Sequence, residues 1–148
     1  MNQSKLEQAI IFAVNTHHCQ LDKGNTPYIF HALSVMLRVA ARGLRTDMQA
    51  AAVLHAVVED SDFTVADIRR LFGKEVAEVV DALTRRKKRG EEYMEYIRRL
   101  NLDPRAAVIK LADLEENLRA DRFAPDKECL ARRYLAAKAF LVREGHIL

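Results

Sequence analysis

The stretch Val53-Leu54-His55-Ala56-Val57-Val58-Glu59-Asp60 guides the interpretation of the whole chain. Its apolar residues, together with Ala51 before them, recur at helical spacing, and Asp47 is a suitable N-cap for a helix that contains them. A histidine lies within this apolar run, and an acidic pair follows it one turn later. The pattern predicts a buried helix that brings polar side chains into the core.

Helical spacing continues along nearly the whole chain, and no run alternates cleanly enough for a strand. Helix starts are predicted at or near Ser4, Thr26, Asp47, Thr64, Lys74, Glu91, Asp103 and Asp126. Predicted ends lie near His18, Gly43, Gly73, Leu83, Leu100, Asn117 and Arg143. We therefore expect an all-α fold, a helical bundle of about seven to eight helices that forms a single domain over residues 1–148.

Composition narrows the class of protein. Hydrophobic residues make up 49% of the 148 residues, which is enough for a packed core. The net charge of +3 is mild and permits a phosphate-bearing ligand, while no nucleic-acid motif is present. No apolar stretch is long enough for a bilayer, and no signal peptide is recognisable, so we expect no membrane partner. Cys19 and Cys129 form no disulfide framework, which indicates reduced thiols and a cytoplasmic protein.

Three polar residues interrupt apolar helices and are the candidates for chemistry. They are His31, His55 and Asp113, and each is predicted on a different helix. A lone histidine on an apolar face is more often a hydrogen-bonded core residue, and that interpretation stays open. Two such histidines with a carboxylate are harder to explain in this way, because a buried carboxylate needs a partner. A divalent metal ion is one standard partner.

A series of short motifs occurs in a fixed order between residues 9 and 118. They are His17-His18-Cys19-Gln20, Lys23-Gly24, Pro27-Tyr28-Ile29-Phe30-His31, residues 51–60, residues 64–73, Leu83-Thr84, and Ile109-Lys110-Leu111-Ala112-Asp113 with Asn117. In order and spacing the chain resembles the HD superfamily of metal-dependent phosphohydrolases. More narrowly, it resembles the hydrolase domain of RelA/SpoT-type alarmone enzymes and their small single-domain relatives.

The resemblance implies a role for each matching residue. His31, His55 and Asp113 match three of four metal ligands, usually for manganese. Glu59 and Asp60 match an acidic pair that orients and deprotonates the attacking water. Glu59 also follows His55 by four residues, so we expect both on one face of the same helix.

The resemblance also implies a nucleotide-binding end of the site. Asn117 matches a position near the nucleotide sugar, and Lys23 matches a basic residue at the nucleotide end of the pocket. Asp22 departs from the pattern, since the long alarmone enzymes have a basic residue there that can stack on guanine. The basic run Arg85–Arg89 suits a polyphosphate, although a solvated loop between helices is the more common explanation for such a run.

The main departure is Ala56, which stands where the family has its fourth metal ligand, an aspartate. A methyl group cannot coordinate, so we expect metal affinity to fall by at least the roughly 10–100-fold that even outer-sphere losses cause. Ala56 is either an inactivating substitution made to trap a ligand or the mark of a natural relative with lost or altered hydrolysis; the intact remainder of the site favours the first. Cys19 and Ala32 replace a Gly and a Pro of the family, and we expect both to be tolerated packing changes.

The function implied by the resemblance is that of a guanosine-3′,5′-bis(diphosphate) 3′-pyrophosphohydrolase. In this reaction a metal-assisted water attacks the 3′-diphosphate of a small-molecule nucleotide and releases pyrophosphate. With Ala56 we expect the chain to be inactive or weakened. Two alternatives stay open: a nucleotide-binding pseudoenzyme, and an HD-type nucleotidase that acts on another phosphorylated small molecule.

Overall fold

The computed structural model describes residues 1–119 and 128–147, and these are helical apart from short connections. The helices are α1 (Gln3–Thr16), α2 (Tyr28–Ala41), α3 (Thr46–Val53), α4 (Val57–Asp60), α5 (Val65–Phe72), α6 (Lys74–Leu83), α7 (Tyr93–Leu100), α8 (Pro104–Asn117) and α9 (Glu128–Arg143), with a 3₁₀ helix at Lys87–Arg89. The described residues contain no strand, only one isolated antiparallel bridge between Leu21 and Pro27. The predicted all-α class is confirmed.

Two helices form the centre of the bundle. Helix α3 packs against α1, α2, α6 and α8, and α8 packs in turn against α2, α6, α7 and α9. The alanines Ala50, Ala51 and Ala52 are fully buried, and such small side chains allow neighbouring helices to approach closely. Because α2, α3 and α8 meet in the core, polar residues on them are brought together and away from water.

Several predicted helix boundaries agree with the structure for the expected reasons. Thr64 and Asp67 form a reciprocal capping box at the start of α5. The Asp103 side chain accepts from the backbone N–H of Arg105, and Pro104 occupies the first turn of α8. Gly73 separates α5 from α6 with a φ of 95°, a left-handed conformation that favours glycine.

Other predicted boundaries were displaced by neighbouring capping residues. Asn2 rather than Ser4 caps α1, since its side chain accepts from the N–H of Lys5. Asp47 lies inside α3, where its carboxylate accepts from the Arg45 guanidinium and from the N–H of Met48, and Arg45 occupies the N-cap position. The helices predicted to start near Thr26 and Glu91 begin at Tyr28 and Tyr93, and the helix predicted to end near His18 ends at Thr16. The predicted start at Asp126 lies outside the described residues.

The largest difference is a helix break at His55. Helix α3 ends at Val53 and α4 begins at Val57, so His55 and Glu59 do not share the face of one helix, as had been predicted. The His55 Nδ1–H donates to the Ala52 carbonyl oxygen at 2.6 Å. In a continuous helix that carbonyl would accept from the N–H of Ala56. The histidine ring therefore takes the place of a helical hydrogen bond.

The segment that joins α1 to α2 is a tight loop held by Asp22. Its Oδ1 accepts from the N–H groups of Gly24 at 2.8 Å and Thr26 at 3.0 Å. Two non-glycine residues here have positive φ, Cys19 at 63° and Asn25 at 60°. Asparagine tolerates this region, whereas cysteine does not. The replacement of glycine at Cys19 is thus a change in backbone strain rather than the packing change that had been expected.

Replacing Cys19 with glycine should stabilise the protein. Removing the Cβ relieves about 1–2 kcal/mol of left-handed strain, and the added chain entropy of glycine offsets about 0.5–1 kcal/mol of it. We expect Cys19→Gly to raise the free energy of unfolding by about 0.5–1 kcal/mol in urea titrations under reducing conditions. Cys19→Ala keeps the Cβ and is the matched control. An equal gain in both variants would show that the thiol, not the backbone, is responsible.

Candidate metal centre

Two imidazoles and one carboxylate converge in the core. His31 comes from α2, His55 from the turn between α3 and α4, and Asp113 from α8, and all three are buried. One ligand atom from each lies within 4.8 Å of the others. The Asp113 Oδ1 atom is 2.8 Å from Nε2 of His31 and 3.6 Å from Nε2 of His55. The structure thus brings together the three residues proposed from sequence as metal ligands.

The hydrogen bonding of His55 shows that this cluster suits a cation. Because Nδ1 donates to the Ala52 carbonyl, Nε2 of the neutral ring carries a lone pair that faces the Asp113 carboxylate. Two lone pairs facing each other need a positive centre between them. A proton can supply it: burial alone would lower the pKa of His55, whereas the Asp113 carboxylate 3.6 Å away raises it above the ordinary value. A divalent ion suits the same position, since nitrogen and carboxylate oxygen are ordinary ligands for a borderline metal.

His31 completes the pair of imidazoles from the opposite side. Its ring centroid lies 5.5 Å from that of His55 and 5.5 Å from that of Tyr28. Its Nε2 is within hydrogen-bonding distance of Asp113, so in the metal-free protein this nitrogen donates to the carboxylate. Ligation through Nε2 requires the proton to lie on Nδ1 instead.

Lys110 is part of the site, although sequence reasoning gave it no role. Its Nζ donates to Asp113 Oδ2 at 2.6 Å, one helical turn away on α8. The ammonium group also lies 5.3 Å from the ring centroid of Tyr96 and 5.9 Å from that of Tyr93. The available signal was a basic residue within the otherwise apolar run from Ala106 to Ala112, three positions before Asp113.

The two charges hold each other in the ionised state. Burial alone would raise the pKa of Asp113, but the charge of Lys110, the hydrogen bond from His31 and the nearby imidazole of His55 hold that pKa well below its usual range. Burial alone would likewise lower the pKa of Lys110, yet the attraction of Asp113 raises it well above the ordinary value. The site therefore contains one carboxylate and one ammonium group before any ligand binds.

Asn117 has a role that the resemblance did not imply. Its amide Nδ2 donates to Asp113 Oδ1 at 3.1 Å, one helical turn further along α8. It is half-buried and also lines the cleft above the histidines. Asn117 thus orients the candidate ligand Asp113 while keeping a side open to a bound molecule.

A cleft of about 630 Å³ opens over the three candidate ligands. Every residue that the sequence analysis assigned to the site lines it: His31, His55, Asp113, Glu59, Asp60, Lys23 and Asn117. Ala56 lines it as well, so the position of the missing aspartate faces the same cavity. Ala56 is the N-cap of α4 rather than a position inside a helix. Aspartate is favoured at an N-cap, and helix propensity therefore gives no reason for the alanine.

The two carboxylates of the acidic pair, Glu59 and Asp60, differ in burial and in hydrogen bonding. Glu59 is half-buried, and its carboxylate accepts from the backbone N–H of Arg85 at 2.5 Å and lies 3.6 Å from Nζ of Lys87. Asp60 is exposed, and no group in the described part of the chain donates to its carboxylate. Glu59 therefore anchors the basic segment, whereas the Asp60 carboxylate is available to a molecule in the cleft.

Behind the cleft lies a buried histidine with a defined proton position. Gln20 donates through Nε2 to the carbonyl oxygens of Thr16 and Asp60, so its Oε1 must accept from Nδ1 of His17 at 2.8 Å. Nε2 of His17 is buried and has no hydrogen-bond partner among the described residues, and its ring lies 4.8 Å from that of Tyr28. Burial lowers the pKa of His17, and the hydrogen bond to Gln20 and the charge of Asp60 offset this lowering only in part.

Comparison with known proteins identifies the family. The family profile described as HD domain matches residues 9–140. The chain belongs to the HD domain family. A probable GTP pyrophosphokinase of Mycobacterium leprae is 34% identical to this HD domain over 134 residues, which cover 86% of the chain and 17% of that protein. The bifunctional (p)ppGpp synthase/hydrolase SpoT of Escherichia coli is 34% identical over 133 residues, which cover 83% of the chain and 19% of that protein.

Further relatives agree with this assignment. A guanosine-3′,5′-bis(diphosphate) 3′-pyrophosphohydrolase of Aquifex aeolicus is 33% identical over 121 residues, covering 78% of the chain and 17% of that protein. The chain thus spans less than a fifth of the length of these relatives. A solved structure, described as a metazoan ortholog of SpoT that hydrolyzes ppGpp, aligns with a TM-score of 0.80 and 26% identity over 99% of this chain and 89% of that one.

The comparisons and the geometry together describe a hydrolase scaffold. The chain is an HD-type domain similar to RelA/SpoT enzymes, with a His-His-Asp cluster that suits a metal ion. The family includes enzymes named for the hydrolysis of (p)ppGpp, a small nucleotide. In the described ranges, no helix combines the length and apolar character that a membrane span requires.

The buried His17 should make the protein sensitive to mild acid. Its pKa is lowered from 6.5 on folding, so the unfolded chain takes up a proton first as the pH falls. Stability conferred by the neutral ring is therefore present at neutral pH and is lost below about pH 6.5, by at most about 1.4 kcal/mol per pH unit.

The His17→Asn variant isolates this effect, because it retains a donor toward Gln20 but does not titrate. Urea titrations at about pH 7.5 and about pH 5.5, with a chelator present, measure the free energy of unfolding. We expect wild type to lose more stability than His17→Asn between the two pH values. Equal losses would show that the imidazole is already protonated in the folded state.

Proposed function

We propose that this HD domain is built to hydrolyse the 3′-diphosphate of a (p)ppGpp-type nucleotide, with activity weakened by Ala56. The convergence of His31, His55 and Asp113 beneath an open cleft carries the proposal. Relatives named as 3′-pyrophosphohydrolases support the choice of substrate. No nucleic-acid or membrane partner is needed for this reaction.

The three convergent residues would hold a divalent cation through Nε2 of each histidine and Oδ1 of Asp113. Manganese suits this nitrogen and oxygen set. When bound, such an ion lowers the pKa of water and offsets charge that develops on a phosphoryl oxygen. Asn117 and Lys110 keep the Asp113 carboxylate turned so that Oδ1 faces the imidazoles.

Proton transfer falls to the acidic pair. The Asp60 carboxylate, exposed at the cleft wall, is placed to accept a proton from an attacking water. Glu59, held by the Arg85 N–H, fixes the wall beside it and brings Lys87 toward the cleft. In this arrangement Glu59 orients the reacting groups and Asp60 acts as the base.

The rim of the cleft suits an anionic nucleotide. In the part of the chain that the structure describes, four exposed basic residues line it, namely Lys23, Lys87, Arg119 and Arg133. The Arg133 guanidinium lies 4.3 Å from the ring centroid of Tyr93, which directs it along the cleft wall. Such groups attract phosphate and orient it toward the histidines.

Restoring the missing carboxylate should test this function most directly. We expect Ala56→Asp to raise the affinity for manganese by about 10-fold or more and to increase manganese-dependent release of pyrophosphate from (p)ppGpp. Calorimetry measures the first effect, and a pyrophosphate assay measures the second. Ala56→Asn, equal in size but neutral, is the matched control and should gain far less.

The proposal fails if the Ala56→Asp protein binds manganese tightly and yet leaves every nucleotide diphosphate and polyphosphate intact. Hydrolysis of other phosphorylated nucleotides, but not of (p)ppGpp, would favour a nucleotidase instead. The loop geometry keeps that alternative open. Oδ1 of Asp22 accepts from the N–H groups of Gly24 and Thr26, and a carboxylate cannot stack on a guanine base as a basic side chain can.

A second function, nucleotide binding without turnover, is supported by the charge balance of the site. In the wild-type chain Lys110 already compensates Asp113, so a nucleotide phosphate can meet an ammonium group and two imidazoles without a metal ion. Under this function, the affinity of wild type for (p)ppGpp is unchanged by a chelator in calorimetry. Under the hydrolase function, added manganese tightens binding.

A further inference from the structure

Among the described residues, Lys110 is the only one with a cationic side chain that contacts Oδ2, the second oxygen of the Asp113 carboxylate. Its Nζ is 2.6 Å from Oδ2, while Oδ1 faces His31 at 2.8 Å and His55 at 3.6 Å. Its side chain is buried, with 9% of the residue exposed. The lysine is therefore a fixed part of the candidate metal centre.

The surroundings hold the ammonium group in place from the other side. The rings of Tyr93 and Tyr96 lie within 6 Å of it, close enough for cation–π attraction. The Tyr96 hydroxyl donates to the carbonyl oxygen of Leu83 at 2.7 Å, which fixes the ring. The lysine thus has little freedom to move away when a second cation approaches.

A fixed ammonium group next to a metal ligand has two opposing effects. It occupies Oδ2 of Asp113 and so presents only Oδ1 to a cation, which favours ligation through a single oxygen. It also repels a divalent ion at close range in a buried site, where charges interact more strongly than in water. The first effect orients the ligand, and the second weakens cation binding.

We propose that Lys110 is a positioning residue that limits the cation affinity of this HD domain and holds Asp113 as a one-oxygen ligand. Ala56 lowers the cation affinity further, because the metal centre then contains a single carboxylate, Asp113, whose charge is offset by the Lys110 ammonium group. This role rests on the metal centre of the proposed function. The test measures cation binding without nucleotide, so its result does not depend on whether the protein hydrolyses (p)ppGpp.

The test compares manganese affinity in four proteins by calorimetry: wild type, Lys110→Gln, Ala56→Asp and the double variant. Glutamine can still donate a hydrogen bond to Asp113 but carries no charge. We expect Lys110→Gln to bind manganese at least about tenfold more tightly than wild type. The same substitution should tighten binding in the Ala56→Asp background, since it acts through charge and not through a new ligand.

Lys110→Arg is the matched control, because it keeps the positive charge and should leave manganese affinity low. A spectroscopic readout tests the orienting effect. With cobalt(II) in place of manganese in the Ala56→Asp background, Lys110→Met, which has no hydrogen-bond donor, should change the visible absorption spectrum as Oδ2 becomes available, and Lys110→Arg should not. Identical spectra for the Met and Arg variants would overturn the orienting role.

Unchanged or weaker manganese binding in a folded Lys110→Gln protein would overturn the proposal, because a merely structural lysine predicts that result. Lys110→Met provides a second neutral variant that fills the space beside Tyr93 and Tyr96 should the glutamine prevent folding. The metal itself then replaces the lost partner of Asp113. We expect manganese to raise the melting temperature of Lys110→Met more than that of wild type, and an equal rise in both would contradict the proposal.

Discussion

The buried carboxylate of Asp113 is the group on which the arrangement of the site depends. An ionised carboxylate is costly to remove from water unless charges and hydrogen bonds compensate it. Here Lys110 supplies the charge, and His31 and Asn117 supply hydrogen bonds from α2 and α8. The need to satisfy one group therefore ties together helices that are distant in sequence, and it places the imidazoles where a cation can bind.

The break between α3 and α4 follows from the same requirement. A continuous helix would leave the Ala52 carbonyl to a backbone N–H and would give the His55 ring no fixed proton. In the structure the ring itself donates to that carbonyl, so its other nitrogen is directed toward Asp113. The loss of one helical hydrogen bond thus orients His55 as a candidate ligand. The break also turns Glu59 toward Arg85 and Asp60 toward the open cleft.

Local sequence patterns predicted most of the fold because most helices carry their own signals. The capping box of Thr64 and Asp67, the Asp103-Pro104 start of α8 and the glycine between α5 and α6 act within a few residues. Errors arose where distant or competing partners decided the outcome. Asp47 lies inside α3 and pairs with Arg45, which occupies the N-cap position, and the break at His55 depends on a side chain that donates to the Ala52 carbonyl.

The sequence by itself determined the helical class, the family resemblance and the residues that meet at the candidate metal centre, since apolar spacing and motif order are properties of the chain alone. Only the tertiary structure decided which contacts each of those residues makes and therefore which role each can have. It showed that Lys110 compensates Asp113, that Glu59 is committed to a backbone N–H while Asp60 is not, and that Cys19 is strained. These features depend on distances between segments far apart in sequence and on backbone angles, and residue order specifies neither of them directly.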